Sequence, residues 1–283
     1  MLAAILTFSG IVTSYAQNDE PVVNAYFTTS EMPDMMKFLP GPPDSTSVAF
    51  MNDVARYYWG KEMRANQERA DEAKRDAVYG LATILSEFEE AFGMKISEEE
   101  TPEIFKVLLE GTATCDSICT IPKKTYMRRR PFMVFNEQTL TPEDEESLRK
   151  NGSYPSGHTL LGWSAALLMS EINPERATEI LARGYRYGEN RLVVGAHWQS
   201  DTDAGRLAAS AAYARLHTSE RFLEQMKKAR AEFQALKDNT SVLPIPQAVS
   251  AVATEGVYTI QGMPASADSR GVVIANSKKV LRR

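Results

Sequence analysis

The sequence is poor in cysteine and histidine, has no excess of positive charge, and contains no long apolar run. Two cysteines in 283 residues are too few for a disulfide scaffold or a cysteine-rich zinc module. Three histidines confine any imidazole chemistry to His158, His197 and His217. A formal charge of −5 argues against a nucleic-acid binder, which carries a basic balance or a basic stripe. The longest internal apolar stretch, Leu160–Met169, falls well short of the ~20 residues a membrane-crossing helix needs, and Gly162 and Ser164 interrupt it. What remains, 43% hydrophobic and 24% charged residues, is the make-up of a folded soluble protein of one large or two small domains.

The two ends differ from the middle. Residues 1–16 carry no charged side chain and include the apolar run Leu2–Val12. Ser14 and Ala16 put small residues where a signal peptidase reads, just ahead of the polar Gln17-Asn18-Asp19-Glu20. This predicts a signal peptide over 1–16 and export to the periplasm, with secretion or cell-surface display as the alternative. Residues 17–40 read as an N-terminal extension. From about Asn239 the composition changes again. Val242-Leu243-Pro244-Ile245-Pro246 predicts an extended linker, and Val257–Ile260 and Val272–Ala275 are short β-like runs within a 238–283 tail. The pattern Gly256-Val257-Tyr258, then Arg270-Gly271-Val272 and Lys278-Lys279-Val280, resembles the C-terminal β module of Bacteroidetes surface or secreted proteins. A flexible basic tail is the other reading of so few residues.

Between the ends, residues 41–237 read as an all-α, single-domain helical bundle. Thr101-Pro102-Glu103, Thr141-Pro142-Glu143 and Asn173-Pro174-Glu175 share one helix-start grammar. Each sets a capping side chain, then proline at the first helical position, then a carboxylate in the first turn. Helical spacing of Leu81, Leu85, Phe88 and Phe92 predicts one apolar face on a segment from about Glu68 to Phe92. Leu207, Ala211, Ala214 and His217 predict a second face, and Phe222, Met226, Ala229 and Phe233 a third. No repeat of 20–50 residues is present.

Three segments concentrate unusual residues. Lys123-Lys124-Thr125-Tyr126-Met127-Arg128-Arg129-Arg130-Pro131 sets five cations within eight positions of an acidic chain. Guanidinium groups suit bidentate contact with phosphate oxygens, although a charge run is also commonly a solvated face. Gly152-Ser153-Tyr154-Pro155-Ser156-Gly157-His158-Thr159 is a turn that opens a helix, where free N–H groups favour an anion; an ordinary serine cap reads equally well. In Asn190-Arg191-Leu192-Val193-Val194-Gly195-Ala196-His197-Trp198-Gln199-Ser200-Asp201, a helix beginning near His197 would set Asp201 on the same face. The carboxylate would then take the imidazole Nδ1–H and leave Nε2 free. A purely structural His–Asp pair is the competing reading.

Taken together, Lys123 with Arg130-Pro131, then Pro155-Ser156-Gly157-His158, then Arg191 with His197 and Asp201, resemble the tripartite signature of the PAP2 superfamily. The wider sequence, from Phe38-Leu39-Pro40-Gly41-Pro42-Pro43 to the helix ending near Phe233, is similar to its bacterial class A non-specific acid phosphatases. The resemblance implies an exported hydrolase of small phosphate monoesters (nucleotides, sugar or aryl phosphates) with a broad range, acting through a phosphohistidine. His197 is then the nucleophile, Asp201 its orienting carboxylate and His158 the general acid. Lys123, Arg130, Ser156, Gly157 and Arg191 bind the phosphate. The resemblance implies no cofactor, no metal, no nucleic-acid partner and no membrane span, and class A relatives suggest a homo-oligomer. A vanadium haloperoxidase would share the oxyanion pocket, and a non-catalytic phosphate-binding surface protein would bind without turnover. One signature position departs: Asn190 stands where serine is usual. Cys115 and Cys119, four apart, are not a family feature, and His217 lies outside the signature.

Overall fold

A computed structural model describes residues 23–239 and the backbone of three short strands, 257–259, 271–275 and 278–282. The expected signal peptide over 1–16 and the linker at 242–246 lie outside the described residues. The chain divides into two compact units, Met1–Gln234 and Ala235–Arg283.

Among the described residues the first unit is all-α. Its longer helices are α2 (Val48–Met63), α3 (Gln67–Arg75), α4 (Leu81–Phe92), α5 (Pro102–Asp116), α9 (Gly157–Ile172), α10 (Ala177–Val194), α11 (Gln199–Leu216) and α12 (Glu220–Asn239, whose last residues belong to the second unit). Short helices α1 (Met35–Phe38), α6 (Thr120–Tyr126), α7 (Pro131–Phe135) and α8 (Glu145–Arg149) fill the connections. Side-chain caps start several of them. Ser47 accepts from Phe50 N–H, Asn66 from Arg69 N–H, Ser156 from Thr159 N–H and Ser219 from Phe222 N–H.

Helix α9 is the axis of the bundle, surrounded by α5, α10 and α11. Leu160, Leu161, Ala165, Ala166, Leu168, Met169 and Ile172 are all buried, so the helix is apolar around most of its circumference. It meets α10 at very close range because glycines face the contact. A Cβ on Gly184 would lie 2.5 Å from Ala166 Cβ, and one on Gly188 would lie 2.6 Å from Thr159 Cγ2. Residues 23–40 join this core through Tyr26, Met32 and Met35.

Several sequence expectations are met and others corrected. Phe222, Met226, Ala229 and Phe233 form the buried face of α12. The segment from Glu68 to Phe92 is two helices rather than one, broken at Gly80, whose φ of 144° a side-chain-bearing residue rarely adopts. The α11 face was misplaced: Leu207 is 56% exposed, and Ala204, Ala208, Ala212 and Leu216 are the residues that pack inward. Thr101, Thr141 and Asn173 do precede helical turns, yet none of their side chains caps one. Thr101 Oγ1 instead pairs with the backbone of Ser97, and Asn173 Nδ2 donates to Phe92 O at 2.7 Å. Cys115 and Cys119 are buried free thiols. His217 bonds Tyr213 O and Glu171 and serves the packing of α11.

The second unit holds an antiparallel sheet of three strands, β1 (Val257–Thr259), β2 (Gly271–Ala275) and β3 (Lys278–Arg282), in the order β1-β2-β3. The third strand was not expected, because Lys278 and Lys279 read as part of a basic tail.

Candidate active site

A cavity of about 890 Å3 opens where the loop after α3, the end of α5, α6, the start of α9 and the end of α10 converge. Lys123, Arg130, Gly157, His158, Arg191 and His197 all line it. Two further expected site residues, Ser156 and Asp201, stand behind this wall.

The local backbone explains how His197 reaches the cavity. Helix α10 ends at Gly195, whose φ of 86° is the left-handed conformation that glycine adopts without strain. The reversal, tied by Ala196 N–H to Arg191 O, delivers His197 two residues before α11 begins. His197 is therefore not on a shared helix face with Asp201, as the spacing predicted. Asp201 sits in the first turn of α11 and its carboxylate reaches back. Oδ2 accepts from Trp198 N–H at 2.9 Å and faces His197 Nδ1 at 3.2 Å. Because a carboxylate only accepts, Nδ1 carries the hydrogen and Nε2 presents a lone pair. Arg130 Nη1 meets that lone pair at 2.9 Å.

His158 is fixed by its other nitrogen. Its Nε2 lies 2.8 Å from Ala77 O, which only accepts, so Nε2 bears hydrogen and Nδ1 is left for chemistry. Tyr79 packs edge-on against the ring, centroids 4.8 Å apart. Burial pushes the pKa of both histidines well below 6.5. Arg191 adds most to the effect at His158, and Arg130 followed by Lys123 at His197.

The cations are spent unequally. Arg130 is tethered by backbone carbonyls, with Nε on Leu148 O and Asn151 O and Nη1 on Ala196 O. Lys123 Nζ donates to Gly152 O at 3.0 Å, and burial, reinforced by Arg130, pulls its pKa to about 8. Arg191 is buried with Nε and Nη1 lacking any partner among the described residues. A desolvated guanidinium with unmet donors is a strong anion attractor. Ser156 Oγ accepts from both Thr159 N and Thr159 Oγ1, so only its hydroxyl hydrogen remains to donate.

Three supporting residues escaped the sequence reading. Arg128 was visible only as one member of the basic run. Its Nη1 donates to Asp201 Oδ1 at 2.6 Å and its Nη2 to Asp53 Oδ2 at 2.7 Å. Asp53, in α2, also accepts from Ser200 N and Ser200 Oγ; nothing in its local sequence marks it out. Asp116, at the end of α5, lines the cavity beside Tyr79 and Cys119, and burial raises its pKa. Asn190 is not a cavity residue. It is buried and faces α3, as described below.

This helical bundle, with its cationic pocket around two histidines, is of the PAP2 superfamily, which residues 105–222 match. The chain is 44% identical over 213 residues to a non-specific acid phosphatase of Providencia stuartii, covering 75% of this chain and 86% of the relative. It is 38% identical over 234 residues to the non-specific acid phosphatase of Salmonella typhimurium, covering 82% and 91%. An acid phosphatase of Zymomonas mobilis is 33% identical over 223 residues, covering 79% and 83%. The chain belongs to the non-specific acid phosphatase family.

Proposed function

We propose that the protein is an acid phosphatase that hydrolyses phosphate monoesters through a phosphohistidine at His197. The observation that carries this reading is the convergence of Lys123, Arg130 and Arg191 on the cavity where His197 Nε2 bears its lone pair.

Lys123, Arg130, Arg191, the Gly157 N–H at the start of α9 and the Ser156 hydroxyl hold the non-bridging phosphate oxygens. They stabilise the charge that spreads over those oxygens in the transition state. In the arrangement described, Arg130 Nη1 donates to His197 Nε2, and a phosphoryl group competing for that N–H releases the lone pair. Nε2 then attacks phosphorus, the P–O bond to the leaving alkoxide breaks, and His158 Nδ1 gives that oxygen its proton. In the second half, His158 Nδ1 takes a proton from water as it attacks the phosphohistidine, which releases phosphate and restores both histidines. Asp201 keeps the His197 ring in the attacking tautomer throughout.

Acidic pH suits this scheme. The depressed pKa of His197 keeps Nε2 unprotonated in acid. The pKa of His158 is depressed in part by Arg191, and a bound phosphate offsets that charge, so the acid is loaded as substrate arrives. Side chains supply every cation, so the chemistry needs no metal. Residues 1–16 direct export to the periplasm. A hydrolysis screen over nucleotides, sugar phosphates and aryl phosphates from pH 4 to 9, with and without EDTA, tests this reading. Turnover of several esters with an acidic optimum and no response to chelator is expected. Loss of activity with EDTA contradicts the metal-free mechanism.

A further inference from the structure

Helix α3 ends against the catalytic pocket, and the manner of its ending is specific. A helix leaves its last carbonyls without intrahelical partners. The carbonyl of Ala77, two residues beyond the end of α3, is taken by His158 Nε2–H at 2.8 Å. The neighbouring residue, Asp76, caps the helix and is fully buried. Its carboxylate is clamped from α10. Arg183 Nη2 donates to Oδ1 at 2.6 Å, Arg183 Nη1 to Oδ2 at 3.0 Å, and Asn190 Nδ2 to Oδ2 at 2.6 Å. Arg183 and Asn190 are seven residues apart and so share one face of α10. Asn190 is held in turn, with Oδ1 accepting from Arg69 and Nδ2 also donating to Glu72. Its chain neighbour Arg191 points the other way, into the cavity.

Tyr79 packs against the His158 ring, and Asp116 beside Tyr79 lines the same cavity. Arg191 from α10, Arg130 ahead of α7 and His197 ahead of α11 all disfavour a second proton on the ring. The Ala77 carbonyl just beyond α3 acts in the opposite sense, accepting the Nε2–H and so favouring the protonated ring. The carbonyl also dictates which ring nitrogen meets the substrate. A shift in its position would rotate the imidazole away from the leaving oxygen and weaken general-acid catalysis without touching the phosphate clamp.

We propose that Asp76, gripped by Arg183 and Asn190, is a positioning residue for His158, holding the Ala77 carbonyl so that the imidazole presents Nδ1 to the leaving oxygen. The proposal rests on His158 being the general acid. It also gives Asn190 a role: the amide spans to α3, locking the helix that orients the acid to the helix that carries Arg191.

The test uses the dependence of rate on the leaving group. An acidic phenol departs without a proton, whereas phenol and alkyl alcohols need one. The value of kcat/KM is measured for 4-nitrophenyl, phenyl and alkyl phosphates with wild type, Asp76→Asn, Asn190→Ser and His158→Ala. Because Asp76 is buried, Asn190→Ser provides a gentler variant that keeps Arg183 on Asp76, and thermal melts establish that each protein is folded. Asp76→Asn should lose roughly tenfold or more on phenyl and alkyl phosphates and far less on 4-nitrophenyl phosphate, and Asn190→Ser, which keeps the Arg183 clamp, should show a smaller loss of the same selectivity, both in the same sense as His158→Ala. A uniform loss across esters in both variants, or an unchanged leaving-group dependence in folded Asn190→Ser, overturns the proposal while leaving the role of His158 intact if His158→Ala remains selective. A uniform loss in His158→Ala overturns the acid assignment, and the proposal with it.

Discussion

Arg128→Met should be among the most damaging single changes outside the cavity. The Arg128 side chain is 9% exposed and lies between Asp53 and Asp201, both fully buried. It bonds Asp201 Oδ1 at 2.6 Å, Asp53 Oδ2 at 2.7 Å and Ser200 Oγ at 2.8 Å. Removing the guanidinium leaves two buried carboxylates side by side without the cation that bonds both. Breaking a buried ion pair from one side costs about 3–5 kcal/mol. The carboxylates keep partners at Ser200 N, Ser200 Oγ and Trp198 N, which holds the cost to the lower part of that range. For a domain of this size the loss corresponds to a fall in Tm on the order of 10 °C. Circular-dichroism melts of wild type, Arg128→Met and Arg128→Met/Asp53→Asn at neutral pH make the measurement. The double variant should recover part of the loss, because it removes one of the two stranded charges. Arg128→Met melting within about 2 °C of wild type would refute the account of the buried triad.

Other outcomes follow from the same site. His158 and His197 are held neutral by burial, so below about pH 6.5 the unfolded chain binds protons that the folded protein does not. Stability should fall with falling pH by up to about 1.4 kcal/mol per unit for each histidine. Urea midpoints at pH 7 and pH 5 measure the slope, His158→Asn should reduce it, and inorganic phosphate should flatten it; a pH-independent midpoint contradicts the burial argument. Lys123 carries its charge below about pH 8 and loses it above, so kcat/KM should decline as pH rises through that value. Lys123→Arg should shift the alkaline limb upward, and a limb that stays in place assigns it to another group.

The sequence made the cavity legible because its contributors carry unusual chemistry at fixed spacing. Lys123, Arg130, His158, Arg191 and His197 each stood out by residue type, and helices α4 and α12 by period. The supporting residues are different. Asp53 lies 148 positions from Asp201 and looks like any helix carboxylate. The Ala77 carbonyl has no side-chain signature at all. The His197–Asp201 pair was anticipated for the wrong local reason: a spacing of four suggested a helix face, whereas Asp201 reaches back as a first-turn carboxylate from a helix that starts later. The α11 face was misread because alanine is nearly indifferent to burial, so Leu207 outweighed the alanines that pack inward. The β3 strand was hidden by its lysines, whose charge reads as tail.

The central claim is that phosphorus passes through His197. Rapid alkaline quench of the enzyme during turnover of 4-nitrophenyl phosphate, followed by peptide mass spectrometry, tests it directly. The account predicts a phosphoryl group on the His197 side chain in wild type, and neither phosphopeptide nor turnover in His197→Ala. A phosphoryl group on any other residue, or near-wild-type hydrolysis by His197→Ala, contradicts it.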